Sequence, residues 1–105
     1  MTYNIRFLPE VEEDLFAGFS WYEDKARGLG EEFLRIFYAS SNYLTRNALI
    51  YKKVYGDFCR LLLRRFPYAI YFLIDNNEVI ILGLFHCARD PRTIKNKLST
   101  RSKNN

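Results

Sequence analysis

Residues 58–87 read FCRLLLRRFPYAIYFLIDNNEVIILGLFHC, and this stretch decides the fold. It is apolar almost throughout, rich in aromatic and β-branched side chains, and broken only at Phe66-Pro67 and Asp75-Asn76-Asn77-Glu78. From Tyr51 onward the period of the pattern is two, that of strands rather than helices. Pro67 removes a ladder donor, so one strand is expected over Phe58–Arg65 and ends there. The paired asparagines tolerate the positive φ of a tight turn, which predicts a hairpin between Tyr68–Ile74 and Val79–Cys87. Just upstream, Tyr51–Val54 reads as a further short strand, with Tyr55-Gly56-Asp57 as the turn.

Further toward the N-terminus the period changes. Val11, Leu15, Phe19 and Tyr22 recur at helical spacing behind Pro9, whose fixed φ suits a first turn. Glu10, Glu12, Glu13 and Asp14 favour the positive end of the helix dipole, and Gly28 is a suitable terminator. A second helix is predicted from about Gly30 to Asn47, with Phe33, Ile36, Phe37, Tyr43 and Leu44 on one stripe. So short a connection makes the two an antiparallel hairpin. Before them, Tyr3, Ile5 and Phe7 alternate with polar residues as in a half-buried strand. After the sheet, Asp90-Pro91 opens one or two helical turns through Leu98, and STRSKNN is expected to fray. The expectation is an α+β domain over 1–98 with a flexible polar tail over 99–105. It comprises an N-terminal strand, an antiparallel helical hairpin and a three- to four-stranded antiparallel sheet, helices on one face.

Composition narrows the classes. With 105 residues, 49% apolar and 17% aromatic, the chain holds one packed domain and is not of disordered type. Its longest apolar candidate for a membrane span, Ala69–Phe85, is interrupted by four polar residues. The opening MTYNIRFLPEVEED lacks the pattern of a signal peptide. Cys59 and Cys87 form no CxxC pair, which fits reduced thiols in a cytoplasmic protein. Charge is uneven. Residues 1–48 carry five Lys/Arg against eight Asp/Glu, a balance of −3, whereas residues 49–105 carry eleven against four, a balance of +7. The second half therefore favours an acidic partner, nucleic acid or protein.

Arg64-Arg65-Phe66-Pro67-Tyr68-Ala69-Ile70-Tyr71 resembles the RRFPYxIxY segment of RelE/ParE-type toxins, and His86-Cys87-Ala88-Arg89-Asp90-Pro91 is similar to their HxxRxP ending. Tyr3–Phe7, Trp21-Tyr22-Glu23, Gly28-Leu29-Gly30 and Tyr51-Lys52-Lys53-Val54-Tyr55 extend the resemblance over roughly residues 3–98. It departs at Cys59 and Lys97, where arginine is usual, at Ala48, where proline is frequent, and at Ile94, where tryptophan is. The resemblance implies the toxin of a type II toxin–antitoxin system, neutralised by a cognate antitoxin. Of its two modes, the pattern looks more like the ParE type, found among plasmid stabilisation proteins, which blocks DNA gyrase. The RelE type, a metal-independent, growth-inhibiting endoribonuclease that binds mRNA on the ribosome, is the alternative. A non-toxic relative serving as a binding module is a third reading.

The candidate residues follow from chemistry. RNA cleavage through the 2′-hydroxyl needs proton transfer and cations for the developing charge, and neither cofactor nor metal. With one histidine and no ligand-spaced cluster, the sequence offers no metal site. His86 is the side chain best suited to proton transfer at neutral pH, and Arg89 stands three residues on, suited to phosphate. Arg60 and Arg64, four apart on one expected strand, share a face with Leu62 between them, while Arg65 points oppositely. Such arginines grip oxyanions or guard a sheet edge, and Lys52 and Lys53 extend the patch. Tyr68 and Tyr71 stack on bases or fill the core. Phe19, Trp21, Tyr22, Phe33 and Phe37 read first as packing of the helical hairpin, while the resemblance to ParE-type proteins leaves Trp21 equally open to target contact.

Overall fold

The computed structural model describes residues 2–103. The chain runs β1 (Asn4–Phe7), α1 (Glu10–Lys25), α2 (Leu29–Asn47), a 3-10 turn (Ala48–Ile50), β2 (Lys53–Tyr55), β3 (Phe58–Leu62), β4 (Tyr68–Asp75), β5 (Glu78–His86) and α3 (Pro91–Lys103). The α+β class expected from the sequence is observed. Four strands, β2 to β5, form the antiparallel part, and β1 adds a fifth beside β5 in the order β1-β5-β4-β3-β2. β1 runs parallel to β5, pairing Asn4 with Glu78 through Phe7 with Ile81. A parallel neighbour requires a long crossover, and the helical hairpin with the rest of the sheet supplies it.

Acidic first turns (Glu10, Glu12 and Glu13; Glu31 and Glu32) and basic last turns (Lys25; Arg46) match the dipoles of α1 and α2. Their connection is held at Gly28, which takes φ 86° immediately before α2. The Glu23 carboxylate accepts from the N–H groups of Gly28 and Gly30, both at 3.0 Å, tying the end of α1 to the start of α2. Under the hairpin, Phe33 is fully buried against Tyr22, Phe66 and Tyr68, with ring centroids 5.0–5.3 Å apart. No helix among the described residues is long and apolar enough to cross a membrane.

Three expectations are corrected. First, the strand predicted over Phe58–Arg65 stops at Leu62. The Leu63 N–H donates to the Tyr68 carbonyl at 2.9 Å and Arg65 takes φ 69°, so Arg64 and Arg65 belong to the turn. Second, helices cover both faces. Val79 through Phe85 are all buried, which requires a cover on each side of β5. Tyr68 pairs with His86 and Ala69 with Phe85, and neighbours on a strand alternate faces. Tyr68 meets α2 through Phe33, whereas Phe85 lies 5.0 Å beneath the Arg101 guanidinium of α3. Third, the polar segment expected to fray from residue 99 continues α3 to Lys103, and the last two residues of that expected tail lie outside the described ones.

Arg101 explains the third correction. β1 covers β5 only as far as Ile81, where the Leu8 N–H still donates to the Ile81 carbonyl, and leaves the edge beyond uncovered. There Arg101 donates to the Leu82 carbonyl at 3.0 Å and the Asp14 carboxylate accepts from the Leu84 N–H at 3.0 Å. Asp14 and Arg101 join each other in two bonds of 2.7 and 3.0 Å, with side chains 10% and 11% exposed. Gly83 leaves the room: a Cβ there would stand 2.9 Å from an Arg101 Nη atom and 2.7 Å from the Phe85 ring.

Candidate anion-binding face

On the α3 side of the sheet, β3 and β4 place Arg60 directly across from Tyr71. Arg60 is exposed and Tyr71 is buried at 2%. Burial pushes the Tyr71 hydroxyl above its usual range, while the neighbouring Arg60 guanidinium pulls the other way. The Tyr55 ring stacks alongside Tyr71 at 6.3 Å and 16°, and Phe85 packs on its other side at 5.9 Å. Cations stand around this aromatic floor. The Lys95 ammonium is 5.8 Å from the Tyr55 centroid, and the Arg89 guanidinium is 5.3 Å from that of Phe85. Arginines held over aromatic rings keep their donors oriented and accept carboxylate or phosphate in paired bonds.

The other expected residues divide. His86, at the end of β5, faces Tyr68 with ring centroids 5.1 Å apart. Its Nδ1 accepts from the Ala88 N–H at 3.0 Å, so the neutral ring carries its proton on Nε2. Arg89 stands between the two faces. Its guanidinium covers Phe85, its charge reaches the Tyr68 hydroxyl, and its backbone N–H donates to the His86 carbonyl. Tyr68 itself is pushed up by burial first, with Tyr22 adding to the shift and Arg89 opposing it.

Arg60 and Arg64 do not share a face as expected, because the strand ends between them. Arg64 lies beside α2, lining with Arg65, Arg35, Ile36, Ala39 and Ser40 a concavity of about 210 Å³. Arg65 pairs with Glu32 at 3.0 Å, and Glu32 also holds Arg35. The Glu32 carboxyl is thereby kept below its usual range, chiefly by Arg35. Lys52 is exposed ahead of β2, and Lys53 pairs with Asp57 at 3.2 Å. The face thus gathers Arg60, Arg89 and Tyr71, all weighed in the sequence, and adds Tyr55 and Lys95. By sequence Tyr55 belongs to the turn before β3, and Lys95 to the one or two helical turns after Asp90-Pro91, with no pattern that brings either to Tyr71.

The hairpin presents a second surface. Phe33 and Phe37 are core as expected, and Trp21, open between packing and target contact by sequence, is exposed with the Lys25 ammonium 4.2 Å over its ring. Phe16, Tyr38 and Phe7 are also exposed, and Phe16 and Tyr38 border a trough with Leu15, Phe19 and Leu34.

The thiols are free and unlike. Cys59 is buried, and burial pushes its thiol up, whereas Cys87 is exposed. Thiolate is the reactive form. Iodoacetamide at pH 8 is expected to alkylate Cys87 in the native protein and Cys59 only after denaturation, as mass spectrometry of the digested protein will read. Equal labelling of both in the native state contradicts the burial of Cys59.

No family model matches the chain. Among curated proteins it is similar to "Toxin ParE2" of Mycobacterium tuberculosis, strain CDC 1551 / Oshkosh, and to the protein of the same name in strain H37Rv. Each is 24% identical over 103 residues, 97% of this chain and 98% of the relative. Among solved structures it is similar to a chain of the chromosomal ParDE toxin–antitoxin system from P. aeruginosa. The TM-score is 0.73 at 16% identity, covering 81% of this chain and 96% of that one. A chain of the toxin–antitoxin complex RelBE2 from Mycobacterium tuberculosis gives 0.62 at 22% identity, covering 85% and 95%.

Proposed function

We propose that this chain, a RelE/ParE-superfamily protein by sequence and by fold, is the toxin of a type II toxin–antitoxin pair that acts in the cytoplasm by holding an essential target of the gyrase type. The observation that carries the reading is the end-to-end likeness to proteins named as ParE toxins, matched with almost nothing left over on either side. The face formed by Arg60, Tyr71, Phe85 and Arg89 supports it. These side chains suit the gripping of an oxyanion, carboxylate or phosphate. A cognate antitoxin with an acidic–apolar segment is the fitting neutraliser for a half-chain with a balance of +7, in which eleven cations oppose four acids.

The second reading is RNA cleavage, with His86 and Arg89 as the catalytic pair and Arg60, Arg64, Arg65, Lys52 and Lys53 as phosphate contacts. The placement of both at the end of β5 favours it. Its weak point is the turning of His86 toward Tyr68, on the hairpin side, away from Arg60. Proton transfer and charge stabilisation must meet at one phosphate.

Purified protein is expected to inhibit supercoiling by gyrase, and induced cells to keep their ribosome-bound mRNA intact. Discrete mRNA cuts that vanish in His86→Ala, with supercoiling untouched, would instead establish the nuclease. The product of the neighbouring reading frame is expected to bind the protein in pull-down and restore growth. If no adjacent small protein binds, the toxin–antitoxin reading falls.

A further inference from the structure

We infer that Tyr71 is the positioning residue for Arg60, fixing the guanidinium so that its remaining donors meet the target as a rigid fork. The inference rests on the reading of Arg60 as a target contact and goes beyond it in saying what makes that contact effective. Three observations converge. Register places Tyr71 directly opposite Arg60 across β3 and β4. The Tyr71 ring is immobilised, 2% exposed between Tyr55 and Phe85. Its hydroxyl, pushed up by burial, is drawn back by the neighbouring Arg60 guanidinium, as expected of two side chains facing each other across the strands. An exposed arginine otherwise samples many rotamers, and their loss on binding opposes affinity. A buried tyrosine whose hydroxyl reaches that arginine removes much of this loss beforehand. Tyr55 acts one step further out, since it keeps the Tyr71 ring in place by stacking.

The test compares Tyr71→Phe, Arg60→Ala, their combination and Arg60→Lys by growth inhibition at matched expression. It adds thermal melts and the Arg60 Nε–H resonance in a 15N spectrum. Tyr71→Phe keeps the ring, so Tm is expected to hold within roughly 5 °C. Growth inhibition is expected to weaken about tenfold, the effect of one hydrogen bond to a charged group. The double mutant is expected to be no weaker than Arg60→Ala alone, because residues acting through each other are not additive. The Nε–H signal of Arg60, sharp when the guanidinium is held, is expected to exchange faster with water in Tyr71→Phe, which a purely structural role would leave unmoved. A fully toxic Tyr71→Phe beside an inactive Arg60→Ala overturns the inference and leaves the parent reading standing. A fully toxic Arg60→Ala removes both. Should Tyr71→Phe melt early, Arg60→Lys decides. Activity equal to the parent overturns the inference, since an ammonium offers no fork to hold, and loss of activity supports it.

Discussion

Alanine at Asp14 is expected to lower the stability of the fold by about 3–5 kcal/mol, the range for breaking a buried ion pair from one side. Two groups would be stranded at once. Arg101, only 11% exposed, would keep its charge without a counter-ion, and the Leu84 N–H would lose its acceptor at the uncovered part of the β5 edge. For a domain of this size the loss corresponds to a fall in Tm of roughly 10–20 °C. Arg101→Met is expected to fall in the same range, because it strands the Asp14 carboxylate and the Leu82 carbonyl, although the methionine keeps packing on Phe85 and Asp14 keeps the Leu84 N–H. Removing both charges as Asp14→Leu with Arg101→Met is expected to recover part of the loss, since well-packed apolar pairs often replace buried ion pairs at little cost. Urea unfolding followed by circular dichroism measures all three. An Asp14→Ala protein within 1 kcal/mol of the parent would mean that the pair behaves as a surface salt bridge.

Arg60→Ala combined with Arg89→Ala is expected to reduce growth inhibition at least roughly 30-fold, on the scale of 2 kcal/mol or more for a charge contact desolvated in a complex. The two flank one aromatic floor, Arg60 against Tyr71 and Arg89 against Phe85, whose rings pack at 5.9 Å. Their single effects are therefore expected to deviate from additivity. Arg64→Ala, beside α2, is expected to act independently and weakly. Inducer titration at matched protein levels reads the result. Undiminished toxicity of the Arg60/Arg89 double mutant would move the working surface to the hairpin around Phe16, Trp21 and Tyr38.

The sequence announced its elements well where local chemistry decides them. The Asn76-Asn77 turn forms as expected, with Asn76 at φ 56°, because asparagine tolerates that conformation and flanking apolar runs have no other way to pair. The helical hairpin follows from two apolar stripes and a short connection. What stayed hidden was relational. Nothing in Tyr3–Phe7 says which strand it will join or in which direction. In PRTIKNKLSTRSK the first helical turns are legible, but Ile94 and Leu98, its buried apolar residues, do not say which sheet face the helix covers or that it runs on to Lys103. Arg101 reads as a tail residue until Asp14 is seen beside it. The candidate face was half legible for the same reason. Arg60 and Arg89 stood out as cations in a recognisable pattern, but Arg65 at φ 69° bends the chain where alternation predicted a straight strand. A non-glycine residue at positive φ leaves no mark in the alternation of side chains.

The pairing of β1 with β5, and of Asp14 with Arg101, also sets an order in time. Asn4 finds its partner at Glu78, and Asp14 finds Arg101 87 positions later. On a ribosome, a chain grown only through β4 has its helical hairpin and part of its sheet, but lacks the strand that β1 needs. The native arrangement can close only after β5 and α3 have been made, and contacts so distant along the chain slow that step further. The face that joins Arg60, Tyr71 and Phe85 therefore depends on strands that come together late, and it takes shape with the whole sheet rather than element by element.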